Sequence, residues 1–341
     1  MVRVEDYIKK DIDEGIEKAI EDFSKSVKNG KKKNSFSFLF ATDLHYKSDN
    51  RLTFGSVKKL KEMAMCAKLV KPDLFVLNGD LTDGHSPKKV ILSELSELFE
   101  ILKELDIPII INKGNHDSAT WFAYEEKLPD YVTDGDWNKV ISGVTKRVEQ
   151  GYGYLDFEKQ KIRAIYLNTS DIENETDEQG NMSSHCRQWC LGIGDNQINW
   201  LKSTLSDCPC DYSVIFFSHY IPFGEKVENG EKVWDIIKKF NKKILAYMYG
   251  HKHRDFAEEK DGITCICTKD MMNAQVTADD GREFCATLKD IPVICDEAVL
   301  NNPKAQLLGG WEHIEITGKA FKSRRFLNEE RNRKICLNSK E

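Results

Sequence analysis

Five short groups of residues in this chain carry the side chains from which cation sites are built: Asp43-Leu44-His45, Gly79-Asp80-Leu81-Thr82-Asp83, Gly114-Asn115-His116-Asp117, His219, and Gly250-His251-Lys252-His253. Five of the chain's 8 histidines fall within them. Carboxylate, amide and imidazole donors with no thiolate among them suit a divalent cation that takes mixed oxygen and nitrogen ligands. Asp43, His45, Asp80, Asn115, His219, His251 and His253 are more donors than one ion needs. Two ions sharing a bridging carboxylate do need such a set. In two-metal hydrolytic sites the ions stand about 3.5–4 Å apart and clamp the attacking and leaving oxygens of an in-line displacement, with a bridging hydroxide as nucleophile.

Taken singly, each group has an ordinary reading. A D-x-H triplet is commonly a solvated loop, Gly79-Asp80 and Asn115 are common turn residues, His219 suits a core histidine, and alternate histidines occur in plain strands. What joins them is position, because each group stands at or just after the end of an apolar run that reads as a strand. These strands are 36–42, 74–78, 109–112, 163–167, 214–218 and 244–249, several apolar throughout as strands buried on both faces should be. Between them lie stretches of helical period at 56–69, 87–105, 196–205 and 233–240, with Ser86 as the N-cap before Pro87. Strand–helix alternation predicts an α/β fold with largely parallel pairing. The C-terminal ends of parallel strands open into the crevice where ligands bind, so groups far apart in sequence can converge there. Glycines 79, 114 and 250 permit a sharp exit from a strand that brings a ligand over the sheet edge.

In-line displacement at such a centre expels an oxyanion that needs a proton, and an imidazole titrating near neutral pH can give it, which nominates His116 as general acid or transition-state stabiliser. Asp117 reads as a turn-stabilising side chain and His85 as a surface-loop residue.

The blocks TDLH, NGDLTD, KGNHD, SHY and YGHKH resemble the motif set of the calcineurin-like metallophosphoesterase superfamily, from about Phe36 to His253. The resemblance implies an α/β sandwich of two mixed β-sheets flanked by helices, four layers αββα. It implies Asp43, His45, Asp80 and His253 on one metal and Asp80, Asn115, His219 and His251 on the other, with Asp80 bridging. It also implies His116 as the acid, with Asp83 as the carboxylate that orients it. Two divalent ions, manganese, iron or zinc, are the expected cofactors. Protein phosphatases of the superfamily carry an arginine directly after the aspartate that Asp83 matches, and this chain has Gly84. The phosphodiesterase and broad phosphoesterase branches are the better match.

The remaining sequence bounds the reading. A chain of 341 residues with 40% hydrophobic and 31% charged residues has material for a full core and is neither disordered nor fibrous. Its formal net charge of −6 and the acidic surface insertion expected at 171–194 argue against a polynucleotide partner, although the DNA-repair nucleases of the superfamily share these ligands. A small phosphoester is the expected substrate. The rival readings are a nuclease and a metal-binding scaffold without turnover. Residues 1–34 read as an amphipathic helix and linker packed on the main body. Its apolar residues Val4, Ile8, Ile12, Ile16 and Ile20 recur four apart, and Lys28 to Asn34 form an exposed turn. Residues 35–341 form the catalytic domain, with a β-rich part at 254–341 that includes strands near 264–268, 311–316 and 319–326. The 10 cysteines show no zinc-ribbon spacing, and Cys186 and Cys190 have no assigned role. Free thiols, a charge-interrupted N-terminus and the lack of a long apolar run point to the cytoplasm and to no membrane partner.

Overall fold

A computed structural model describes residues 14–48, 54–144, 151–172, 191–224, 227–271, 275–277, 283–285, 310–327 and 332–337. Its strands form two six-stranded mixed sheets. The helices are α1 (Glu14–Gly30), α2 (Phe54–Val70), α3 (Lys88–Leu102), α4 (Thr120–Glu125), α5 (Asp134–Ile141), α6 (Asp195–Ser206) and α7 (Gly230–Ile237). The first sheet contains β1 (Phe36–Ala41), β2 (Leu74–Asn78), β3 (Ile109–Asn112), β12 (Glu312–Thr317), β13 (Ala320–Arg325) and β14 (Arg333–Cys336), in the order β14-β13-β12-β1-β2-β3. The second contains β4 (Gly153–Phe157), β5 (Ile162–Leu167), β6 (Ser213–Ser218), β7 (Ile244–Tyr249), β8 (Phe256–Lys260) and β9 (Ile263–Cys267), in the order β4-β5-β6-β7-β9-β8. A separate hairpin joins β10 (Gln275–Thr277) to β11 (Glu283–Cys285).

Parallel pairing holds for β1-β2-β3 at one end of the first sheet and for β5-β6-β7-β9 at the centre of the second. The remaining strands pair antiparallel, so the expectation of a largely parallel fold is right for the strands that carry the motifs and wrong for the others. The alternation of side chains along β1 shows why its sequence is apolar throughout. Phe36, Phe38 and Phe40 enter the layer between the sheets, where they meet Val76, Ile110, Phe217 and Met248. Leu39 and Ala41 face the helices α1 to α3 on the other side. The Phe38 ring stands edge-on to Phe217 of the second sheet at 5.4 Å and 87°. On the outer face of the second sheet, Leu201 and Leu205 of α6 and Val233 and Trp234 of α7 cover Phe216 and Tyr247. The resulting order of layers is helix, sheet, sheet, helix.

Helix α1 lays Ile16, Ala19, Ile20, Phe23 and Val27 on the first sheet's helical layer, with Glu14 and Glu17 in its first turn and Lys28 in its last, as the helix dipole favours. It runs through Gly30, so Lys28 to Gly30 are helical and only the exposed residues 31–34 form the turn; Val4, Ile8 and Ile12 lie outside the described residues. Ser86 is not the cap of α3. Pro87 takes that position at φ −54° and ψ 148°, and no side chain bonds there. The helix also stops at Leu102, earlier than its periodicity predicted. Among the described residues no helix is long and apolar enough to cross a membrane. The insertion expected at 171–194 is described only at its ends, which are tied together: Asp171 accepts from Gly194 N at 3.0 Å and from Gln197 Nε2 at 2.9 Å. Cys186 and Cys190 lie outside the described residues.

Candidate metal centre

Beyond β1 and β2 the chain leaves regular geometry but stays paired. Asp43 N donates to Gly79 O, His45 N to Asp80 O and Tyr46 N to Leu81 O, each at 2.9 Å. These bonds lock the D-x-H loop to the G-D-L-T-D loop. The two side chains of the triplet do not share a face through continued extension of the strand, as their spacing suggested. Asp43 and His45 both adopt the left-handed region, at φ 54° and 46°, and so do Asp80, His251 and His253 at 50°, 62° and 53°. Side chains with a Cβ are strained there by about 1–3 kcal/mol each, a cost that persists only where surrounding structure over-determines the conformation, and such positions cluster at functional sites.

The glycines leave room for this crowding. A Cβ on Gly114 would stand 2.2 Å from Asp80 Oδ1, and one on Gly250 would stand 2.0 Å from Thr42 Oγ1 and 2.6 Å from Asp43 Oδ2. Gly79 has φ +89° and lies against the His219 ring.

The seven nominated donors meet at the rim shared by both sheets. Asp43, His45 and His253 form one group whose donor atoms all lie within 4.8 Å of one another, and Asp80, His219 and His251 form a second. Asp80 stands between them, its Oδ2 at 3.0 Å from His219 Nε2 and 3.7 Å from His45 Nε2. Asp43 Oδ1 is 3.1 Å from His253 Nε2, while its Oδ2 accepts from Thr42 Oγ1 at 2.6 Å and His251 N at 3.0 Å. Asn115 joins the second group through Tyr220, whose hydroxyl donates to Asn115 Oδ1 at 2.6 Å and whose ring lies 4.0 Å from that of His251.

Several donors are set in advance. His219 Nδ1 donates to Asn78 O at 2.9 Å, which leaves Nε2 with the lone pair and aims it inward. Asp43 Oδ1 and His219 Nε2 are buried and make no hydrogen bond. Buried polar atoms without partners are rare, and orphaned donors converging on one small volume are what a cation would satisfy. The electrostatics agree. Burial pushes the Asp43 carboxyl up, but the His253 and His219 imidazoles outweigh it and hold the group well below the usual carboxylate range. Burial pushes His219 and His45 down, but carboxylates prevail: Asp80 and Asp43 lift His219 to about 10, and Asp43 and Asp80 lift His45 to about 9. Protons on these two rings balance charge that a divalent cation would balance in their place. Asn, Asp and His donors without cysteine fit manganese, iron or zinc.

His116 lies beside the first group, its ring 4.6 Å from that of His45, and burial pushes it down to about 4. The sequence reading gave the task of orienting it to the Asp83 carboxylate. Here the Asp83 backbone carbonyl accepts from His116 Nδ1, while the carboxylate lies 4.0 Å from Lys47 Nζ and within 4.8 Å of ring nitrogens of both His45 and His116. The reason is the tight turn at Gly84, φ +77°, where a Cβ would stand 2.5 Å from His116 O. The same contact leaves no room for an arginine at that position. Asp117 does stabilise turns: its carboxylate accepts from Leu81 N, Thr82 N and Thr82 Oγ1 and from Gly114 N, between 2.8 and 3.1 Å, joining the loops after β2 and β3. His85 is not a plain surface residue. It is half-buried, its ring 5.8 Å from His116 and 5.4 Å from Trp121.

One residue escaped the sequence reading. Asp270, fully buried, places Oδ2 at 3.5 Å from His253 Nδ1. It follows β9, which is parallel to β7 and so ends at the same rim. The reasoning that picked out the other strand ends applies equally to this one.

Comparison with known proteins leads to the same place. A probable glycerophosphodiester phosphodiesterase, GpdQ, of Arcobacter nitrofigilis is 26% identical over 227 residues, covering 62% of this chain and 70% of the relative. One component of the nuclease SbcCD of Staphylococcus saprophyticus is 41% identical, but over only 85 residues, 22% of this chain and 22% of its own. Among solved structures, a dimetal phosphatase from Danio rerio covers 88% of this chain and 98% of its own at a TM-score of 0.56 and 14% identity. GAP50, the anchor in the inner membrane complex of Plasmodium, covers 91% and 90% at 0.51 and 13%. These likenesses show the two-sheet fold. Residues 36–255 match the family described as calcineurin-like phosphoesterase, and the chain belongs to that family of metal-dependent phosphoester hydrolases.

Proposed function

We propose that this protein hydrolyses small phosphoesters at a centre of two divalent cations, with Asp43, His45, Asp80 and His253 holding one and Asp80, Asn115, His219 and His251 the other. The observation that carries the reading is the pair of donor groups on either side of Asp80. Manganese, iron or zinc, when bound, would supply Lewis-acid charge for the phosphoryl oxygens and a bridging hydroxide as nucleophile. The chain's own groups supply the rest. His219 and His253 present Nε2 inward, Asp80 sets the separation of the two sites, and the His116 backbone N–H donates to Asp80 Oδ1 at 2.9 Å, which ties the acid's position to the bridging carboxylate. His116 Nδ1 keeps its proton on the Asp83 carbonyl, so Nε2 is the atom that takes a second proton from solvent and passes it to the departing alkoxide. A diester is favoured over a monoester by the GpdQ relative. Six described cysteines are free, Cys66, Cys208, Cys265 and Cys267 buried and Cys210 and Cys336 exposed, which suits a reducing cytoplasm.

The test is turnover of bis-p-nitrophenyl phosphate and p-nitrophenyl phosphate by protein reconstituted with each metal in turn. Hydrolysis, faster for the diester, is expected. No turnover with any metal would favour a binding scaffold on this fold, and cleavage of DNA or RNA in preference to the small esters would favour a nuclease.

A further inference from the structure

Asp270 is buried, and neither of its carboxylate oxygens makes a hydrogen bond. The group nearest to it in kind is another orphan: His253 Nδ1 is buried without a hydrogen bond and stands 3.5 Å from Asp270 Oδ2. Lys269 Nζ, at 3.6 Å, is the other charge facing this oxygen at close range.

The carboxylate is placed by backbone rather than by solvent. Met271 N donates to Thr42 O at 2.9 Å and Asp43 O at 3.2 Å, Gly310 N donates to Asp270 O at 3.1 Å, and Lys59 Nζ of α2 donates to Met271 O at 2.8 Å. Lys269 N donates to Asp255 Oδ1 at 2.8 Å, on the loop that follows the G-H-K-H group. The segment carrying Asp270 is thus strapped to both loops that deliver the first donor group.

Three of the histidines at the centre, His219, His116 and His253, differ in what lies behind them. For Nε2 to bind a cation, Nδ1 must carry the ring's proton, and a buried N–H needs an acceptor. His219 Nδ1 has the carbonyl of Asn78, and His116 Nδ1 has that of Asp83. His253 has no carbonyl in that place and faces a full negative charge. A carboxylate behind an imidazole holds its tautomer and raises its basicity as a ligand more than a neutral carbonyl does.

We infer that Asp270 is a positioning residue of the first cation site: its carboxylate accepts the Nδ1 proton of His253, fixes Nε2 toward Asp43 Oδ1, and makes this site the tighter of the two. The inference rests on the two-cation reading above. The experiment is calorimetric titration of the metal-free full-length protein with Mn2+ and with Zn2+, for the wild type, Asp270→Asn, His253→Ala and the double variant. Wild type is expected to take two equivalents with unequal affinity. Asp270→Asn, which keeps shape and loses charge, is expected to weaken one equivalent about 10- to 100-fold and leave the other unchanged. In the double variant the first equivalent should bind no more weakly than in His253→Ala, because Asp270 acts through that ring. Imidazole nitrogen NMR supplies a second readout: the His253 Nδ1–H signal of the wild type is lost or shifted in Asp270→Asn, a change that a packing role would not produce. Equal weakening of both equivalents, additive losses in the double variant, or wild-type affinities in Asp270→Asn would each overturn the inference while leaving the two-cation centre standing. A wild-type protein that binds no cation would overturn both.

Discussion

The two sheets contribute different chemistry to one site. The first ends its strands β1, β2 and β3 in Asp43 and His45, Asp80, and Asn115, so it supplies both carboxylates and the amide. The second ends β6 and β7 in His219 and in His251 and His253, and supplies imidazoles alone. The two groups built around Asp43 and Asp80 each span the seam, Asp43 and His45 meeting His253 and Asp80 meeting His219 and His251, while a third cluster, His45, Asp83 and His116, lies on the first sheet's loops alone. The seam is stapled directly beneath. Asn78 at the end of β2 donates to Ser218 O at 2.7 Å, accepts from Asn112 Nδ2 at 2.6 Å, and gives its carbonyl to His219. The lesson is that the centre belongs to the packing of two sheets rather than to either one, so lesions should divide into those that empty one side and those that empty both.

The largest effect is expected at Asp80. Asp80→Ala should remove both equivalents of metal, since its one carboxylate lies between the two groups, and lower turnover by ~10³-fold or more. Elemental analysis after metal loading and gel filtration reads this directly, and retention of two equivalents would show that the bridge lies elsewhere. His116→Ala breaks the symmetry in the other direction, because it leaves every nominated ligand in place. Two equivalents should remain while turnover falls roughly 10²- to 10⁴-fold for esters with alkyl leaving groups. With p-nitrophenolate, which needs no proton to depart, the loss should be much smaller. An equal loss with both leaving groups would replace the acid role of His116 by stabilisation of the phosphoryl charge.

How far the sequence alone reached follows from the same geometry. Strands that carry donors are buried, apolar and paired in parallel, so their ends were readable from 36 to 253, even at β3, which is an edge. Within the two six-stranded sheets, the strands that went unread are β4, β8 and β14, each an edge, with exposures that alternate or stay high, as in Phe256–Lys260. Edge strands carry charge that blunts pairing with other chains and erases the apolar signal. Asp270 was missed for a different reason. A lone acid after a strand carries no motif, and only its proximity to His253 gives it meaning. The carbonyl of Asp83 could not have been read at all, since a backbone acceptor leaves no trace in residue type, and only Gly84 marks the tight turn that presents it.

A change within the seam itself should strike both sides equally. Phe217→Ala removes the ring that meets Phe38 at 5.4 Å and Phe40 at 6.2 Å between the sheets. A truncation of this kind costs about 3–5 kcal/mol. Thermal unfolding of the metal-free protein should show it as a fall in Tm of about 4–7 °C, at about 2.1 cal/mol/K of unfolding entropy per residue. Bound metal should recover part of the fall, because the ions link the same two sheets that the ring links. If the affinity for only one equivalent dropped, the two sites would be mechanically separate and the stapled-seam account would be wrong.

The smallest expected effect separates the sites most finely. The Tyr220 hydroxyl reaches Asn115 Oδ1 at 2.6 Å, while its ring lies against His251, so one residue of the second sheet aims the amide contributed by the first. Tyr220→Phe keeps the ring and deletes that hydrogen bond. A neutral hydrogen bond is worth about 0.5–1.5 kcal/mol, so the second equivalent should bind roughly 2- to 10-fold more weakly. The first equivalent has no contact with Asn115 among its proposed ligands and should be unaffected. Calorimetric titration at fixed pH resolves the two. A loss at the first site would mean that the donor groups are coupled through more than Asp80, whereas no loss at either would mean that the Asn115 amide owes its orientation to the turn at residues 114–117 and not to the sheet opposite.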